Sequence, residues 1–412
     1  MATLFYGRSP STSRPLWASG GAAFGRWDTL AAEDTAGSGY LTALISPMDL
    51  PMRSLDTCLT LLLLAACSPY QPPKPPKPTP ATLPPARESP SGPKLQDLVS
   101  GTTQRLQAIS VVDARTVWVS GTGGTFGVTL DGGASWRTGI VPAAESLEFR
   151  DVQAFDGSTA FLLSAGPGTN SRIYRTTDGG LDWQIQFVNR DSTAFYDCFA
   201  FWDRRSGIAW SDNVGGRFPY VTTSDGGETW DRHSLDGATE GEGAFAASGT
   251  CVATVGKEEA YVATGAGKES RIFRTADRGL TWQHVNTPIV QGTPTTGHTS
   301  VAFRNANDGI AVGGDIAKND TWTDNVVRTV DGGRTWSLEA HPTFQGAAFG
   351  AAYVPGTPAT VVAVGPKGAS WSPDDGRTWQ PLDTLAYWSV GFAGRAAGWL
   401  VGPGGRITRV SF

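Results

Sequence analysis

The octapeptide Thr129-Leu-Asp131-Gly-Gly133-Ala-Ser135-Trp136 returns five more times along the chain, always as Ser/Thr-x-Asp-x-Gly-x-(Thr/Ser/Asp)-Trp. The copies cover residues 176–183, 223–230, 275–282, 329–336 and 372–379, and successive aspartates lie 47, 47, 52, 54 and 43 residues apart. One turn motif per forty-odd residues is the mark of a radial repeat of four-stranded blades. Strand-like residues flank each copy, such as Arg172-Ile-Tyr174 before the second and Gln184-Ile-Gln-Phe187 after it. Each copy therefore sits in a tight hairpin. There the carboxylate can accept hydrogen bonds from turn amides, and the glycine two residues later tolerates a positive φ. The tryptophan suits the gap between neighbouring blades. An active site needs one constellation rather than six, so Asp131, Asp178, Asp225, Asp277, Asp331 and Asp374 are read as structural.

These turns resemble the Asp-box, or bacterial neuraminidase repeat. It is found in sialidases, sortilin-type receptors, xyloglucanases and the photosystem II stability/assembly factor family. The resemblance covers residues 94–412 and bears on fold more than on function. It implies that the box is structural and remote from any catalytic centre.

Upstream of each box runs a recurrent body of apolar strands. In blade one it reads Ile109-Ser-Val-Val112, Val117-Trp-Val-Ser-Gly121 and Gly124-Thr-Phe-Gly-Val128. The last 27 residues repeat this body without a box, because Trp399-Leu-Val-Gly402-Pro-Gly-Gly405 aligns with Trp118-Val-Ser-Gly121-Thr-Gly-Gly124. The chain stops where a fourth strand should begin, while residues 94–101 precede blade one without a blade of their own. That segment is expected to supply the missing outer strand and close the ring. The expected fold is an all-β, seven-bladed β-propeller over residues 94–412, with six blades as the alternative. Two glycine-rich strings, at residues 121–127 and 265–270, fall at blade turns and lack the spacing of nucleotide loops.

The N-terminal region reads as an address. Residues 53–67 contain an apolar run too short to span a bilayer but suited to a signal-peptide core. Its end, Leu64-Ala65-Ala66-Cys67, resembles the bacterial lipobox, which implies lipidation at Cys67. The expectations are a lipoprotein signal over residues 48–67 and a Pro-rich tether over residues 68–93 that cannot pack a core. Met48 and Met52 lie just before the apolar run, so translation is expected to start there and residues 1–47 to be a non-native, disordered extension. The expected location is a bacterial membrane surface, periplasmic or outward-facing, with the outer membrane favoured in a Gram-negative cell.

Composition agrees with export. A net charge of −5 gives no electrostatic reason to expect nucleic acid. On the lipobox resemblance, Cys58 would leave with the signal and Cys67 would be lipidated, so that Cys198 and Cys251 remain. They are a candidate disulfide in an oxidising compartment, unless neighbouring inner strands hold them too far apart. The four histidines, at 233, 284, 298 and 341, show no metal-ligand spacing, so no metal and no cofactor is expected.

Function collects on long loops carried by a rigid scaffold. Such loops occur in blades two to five and reach the face opposite the boxes. The candidate ligand-binding residues there are Asp151, Asp197, Asp212, Arg217, Glu242, Lys268, Arg271, His298 and Asp315. Glu240, Glu269, Lys318, Asp320, Trp322 and Asp324 lie on the same loops. The favoured reading is a monomeric, non-catalytic binding or assembly module of the cell envelope with a protein or glycan partner. It is similar to the photosystem II assembly-factor family. The alternative is a glycoside hydrolase of sialidase type, for which Arg172, Arg271 and Arg406 would have to converge on one pocket with a Tyr nucleophile and an acid. A third reading, an envelope oxidoreductase, has no recognisable cofactor motif. No catalytic residue can be named.

Overall fold

A computed structural model describes residues 92–412. The expected leader with its lipobox Cys67, the expected tether up to residue 91 and the expected 1–47 extension all lie outside the described residues. The rest forms seven four-stranded antiparallel sheets. Their innermost strands, in ring order, are Leu106–Val111, Phe149–Ala154, Tyr196–Phe201, Val252–Val255, Thr296–Phe303, Gly350–Tyr353 and Ser389–Gly394. The protein is an all-β, seven-bladed β-propeller.

Blade seven closes the ring as the sequence requires. Its strand order is Lys94–Leu98, Ile407–Ser411, Ala397–Val401, Ser389–Gly394. The first and last strands pair in register from Lys94 opposite Ser411 to Leu98 opposite Ile407. Thr408 Oγ1 donates to Asp97 at 2.8 Å, a side-chain bond that fixes the same register.

The core is divided among the seven blade interfaces rather than gathered at one centre. Each box tryptophan packs against the preceding blade. Trp183 meets Trp118 edge-on at 6.2 Å, and Trp282 meets Trp210 at 5.1 Å. The box glycine is required by the same packing. Gly180 has φ +82°, and a Cβ there would lie 2.6 Å from Phe126 Cε2 of the preceding blade.

The six box turns share one backbone bonding pattern, and all but the second, where Asp182 donates only its amide to Asp178, add a hydroxyl bond to the aspartate from the same position. Thr129 Oγ1 donates to Asp131 Oδ1 at 2.8 Å and accepts from Gly133 N at 2.9 Å; Asp131 also accepts from Ser135 N and Oγ, at 2.9 and 2.6 Å. The residue between Asp and Gly also adopts a positive φ, and in two boxes it is not glycine. Arg278 (φ +56°) reaches Asp203 and Ser206 of blade three, and Asp375 (φ +61°) binds Arg304 of blade five. Left-handed backbone costs a non-glycine residue about 1–2 kcal/mol, and here it aims a side chain across a blade boundary.

Cys198 and Cys251 form a disulfide with a Cα–Cα separation of 5.9 Å. Neighbouring inner strands are thus close enough to bridge. Cys251 directly precedes the innermost strand of blade four, so the bond ties blades three and four beside the axis.

Candidate functional site

The innermost strands begin on the face opposite the boxes, and those beginnings surround the axis. In blades one, two, three and five the pairing register skips one residue there: Gln107, Arg150, Asp197 and Thr299. A bulge of this kind takes a side chain out of the ladder alternation and re-aims it. All four residues are nevertheless buried, Asp197 at 1% exposure.

Over Arg150 and Asp197 lies the segment joining blades three and four. Residues 243–249 read Gly-Ala-Phe-Ala-Ala-Ser-Gly and are buried throughout. Ser248 Oγ donates to the Phe349 carbonyl of blade six at 2.8 Å, and Ser389 Oγ of blade seven donates to the Ser248 carbonyl at 3.3 Å. Gly249 lies against Asp151 and Arg150 of blade two; a Cβ on it would come within 2.5 Å of Asp151 Oδ1. Val301 N of blade five donates to the Thr250 carbonyl at 2.9 Å. A segment from blade four that touches blades two, five, six and seven lies on the axis. It plugs the channel mouth.

Most of the sequence-derived acids of this face hold that plug or its neighbours. Asp212 Oδ1 accepts from Ala244 N at 3.0 Å, Asp197 accepts from Ala246 N, and the two carboxyls hydrogen-bond each other. Burial first, and then the neighbouring Asp212 charge, pushes Asp197 well above the carboxylate range; burial pushes Asp212 up to about 7. Asp151 is also raised by burial, against the opposing effect of the Phe199 amide, which donates to it at 2.8 Å. Arg150, which sequence reasoning did not single out, donates to Glu148 from Nε and Nη2 at 2.9 and 2.6 Å. Arg105 lies 3.6 Å from Glu148 and 5.2 Å over the Trp388 ring. The bulge position, shared by blades one, two, three and five, was the available sign of Arg150.

Glu242 and Arg271 come together as a buried ion pair. Arg271 donates from Nε at 2.8 Å and from Nη2, while Thr264 Oγ1 and Thr239 N and Oγ1 complete the carboxylate's partners. Burial raises the Glu242 pKa, but the Arg271 hydrogen bonds outweigh it and leave the net shift downward.

The propeller resembles several solved structures. Over 80% of this chain and all of theirs it superposes on "YCF48 bound to D1 peptide", with a TM-score of 0.56 at 18% identity. YCF48 from Cyanidioschyzon merolae gives 0.54 at 16% identity, over 77% and 98% of the two chains. The WD40 propeller of Doa1 gives 0.50 at 12% identity, over 76% and 95%. At these identities the likeness is one of fold. No family model and no curated protein matches the sequence.

The remaining candidates do not join the axial cluster. Arg217 pairs with Asp236 at 2.6 Å on the exposed outer edge of blade three. Asp315 caps its own turn through Ala317 N at 3.0 Å and lies 3.5 Å from Lys318 Nζ. His298 is fully buried against Thr287 Oγ1 at 2.7 Å, and burial depresses its pKa to about 3, so it is neutral. Lys268 is exposed on the rim. Farther round, Trp322 is 49% exposed and stacks on His341 at 4.3 Å. The three arginines of the hydrolase reading stay apart. Arg172 donates to the Thr169 carbonyl, Arg271 to Glu242, and Arg406 to the Ala386 carbonyl. Among the described residues no group of three or more His, Cys, Asp or Glu is placed to hold a metal. On the box face, a cleft of about 390 Å³ opens between blades three and four, lined by Trp202, Ser206, Asp277, Arg278 and Leu280.

Proposed function

We propose that this propeller is a non-catalytic binding module, held at a bacterial cell envelope through Cys67, that grips a segment of a partner protein on the rim opposite the boxes. The carrying observation is the plugged axis. The acids at the channel mouth are engaged in fastening loops, and Asp197 and Asp212 bond each other directly. A hydrolytic carboxylate pair stands roughly 5–10 Å apart around its substrate. The accessible chemistry is instead spread over the rim, with a cation at Lys268 and an aromatic stack at Trp322 and His341. Mixed charge with an exposed aromatic anchor suits a polypeptide ligand. The likeness to a propeller described as bound to a peptide supports the same reading.

The test uses the full chain as bait on detergent-solubilised envelope. One partner should be retained by the wild type and by the box-face variant Leu280→Ser, and lost by Lys268→Glu and Trp322→Ala. Equal capture by the rim variants, or turnover of a glycan with no partner retained, would overturn the reading. The anchor is tested separately, because Cys67→Ser should abolish acylation and release the protein from membranes.

A further inference from the structure

The plug is fixed at both ends and latched in the middle. Before it stands the buried Glu242–Arg271 pair, and after it the Cys198–Cys251 disulfide. Between them, the amides of Ala244 and Ala246 are held by Asp212 and Asp197. We propose that a proton shared by Asp197 and Asp212 latches residues 243–250 over the axial channel, so that the mouth is tight in acid and loosens as pH rises.

The latch works through where charge can go. With one proton between them, the two carboxyls make a hydrogen bond and still accept from both plug amides. With none, two adjacent negative charges lie beneath a dry segment of glycine, alanine and phenylalanine. Ionised groups in such a place are expensive unless paired. The facing groups give little relief. Arg150, the cation nearest the pair, is already chelated by Glu148, whose other neighbour is Arg105. Asp151, on the same strand of blade two, is itself a buried acid. Glu242 and Arg271 neutralise each other. Withdrawal of the plug would admit water and relieve the repulsion, while the anchored ends keep the segment in place to reseat.

The sign follows from linkage. Seated, the carboxyls are buried and hold their protons tightly; with the plug withdrawn they return toward the ordinary range near 4. The seated form therefore binds more protons than the open one. Its advantage is complete below about pH 4 and declines as pH rises toward 7. One pH unit across that window is worth about tenfold in the seated-to-open ratio for one proton.

Hydrogen exchange of the full chain at pH 5 and pH 8, corrected for the intrinsic pH dependence of exchange, tests this. Peptides covering residues 243–250 should lose about tenfold or more in protection. Peptides covering the boxes, whose aspartates titrate below this range, should not change. In Asp212→Asn the neutral amide cannot gain the charge, so plug protection should become independent of pH. Unchanged wild-type protection from pH 5 to pH 8 would overturn the proposal, and it needs no variant to fold. An equal loss in Asp212→Asn would overturn it too.

Discussion

The two faces of the ring carry the same acid in opposite electrostatic conditions. On the box face, Asp225 accepts from the Thr229 hydroxyl and amide and from Thr223 Oγ1, in a turn open to water. These bonds lower its pKa to about 2. At the channel mouth, Asp212 and Asp197 also accept backbone amides, yet burial moves them upward. The chemistry of the acceptor is shared; access to water and the nearness of a second carboxyl decide the difference. A box aspartate organises its own hairpin. A mouth aspartate organises a segment contributed by another blade.

Substitutions can break that comparison. The largest expected effect is at the base of the plug. Arg271→Ala leaves Glu242 buried without its cation and should cost about 3–5 kcal/mol in urea unfolding. Next comes the disulfide, which closes a 53-residue separation. Replacing both cysteines by serine should cost about 2–4 kcal/mol, with an upper expectation near 4 from loop entropy. Gly180→Ala should cost about 1–3 kcal/mol, since it needs a left-handed alanine pressed against Phe126. The smallest is a single box carboxylate: Asp225→Ala should cost about 1 kcal/mol at neutral pH.

The last variant also carries a pH signature opposite in sign to that of the plug. The depressed pKa of Asp225 contributes stability above about pH 4 that is lost as pH falls through about 2. Urea unfolding between pH 5 and 2 should therefore show a smaller acid loss in Asp225→Ala than in the wild type. An identical acid loss would mean that the turn bonds do not hold the carboxylate in its charged form.

The fold was legible in the sequence because its signals are local and repeated. Each box fixes a hairpin, and the alignment of Trp399 with Trp118 showed a blade lacking its outer strand. Lys94–Leu98 supplies that strand. The plug was not legible. A run of glycine, alanine and serine carries no period, and its partners at Asp151, Phe349 and Ser389 are distant in sequence. Asp197, Asp212, Glu242 and Arg271 were recognisable as charged groups on one face. Their mutual pairing depends on bulges and loop paths that residue type does not encode. Residue spacing does not decide the disulfide for the same reason, since the distance between inner strands follows from the diameter of the ring.

If partners dock on the rim opposite the boxes, as proposed, the lysines report on it directly. Lys268, Lys318 and Lys367 lie in loops on that face, whereas Lys94 and Lys257 lie at the box-face ends of their blades. Amine cross-linking of the full chain to its captured partner, read by mass spectrometry, should give links from Lys268, Lys318 and Lys367. Links concentrated at Lys257, beside the cleft between blades three and four, would place the partner on the box face and contradict the account.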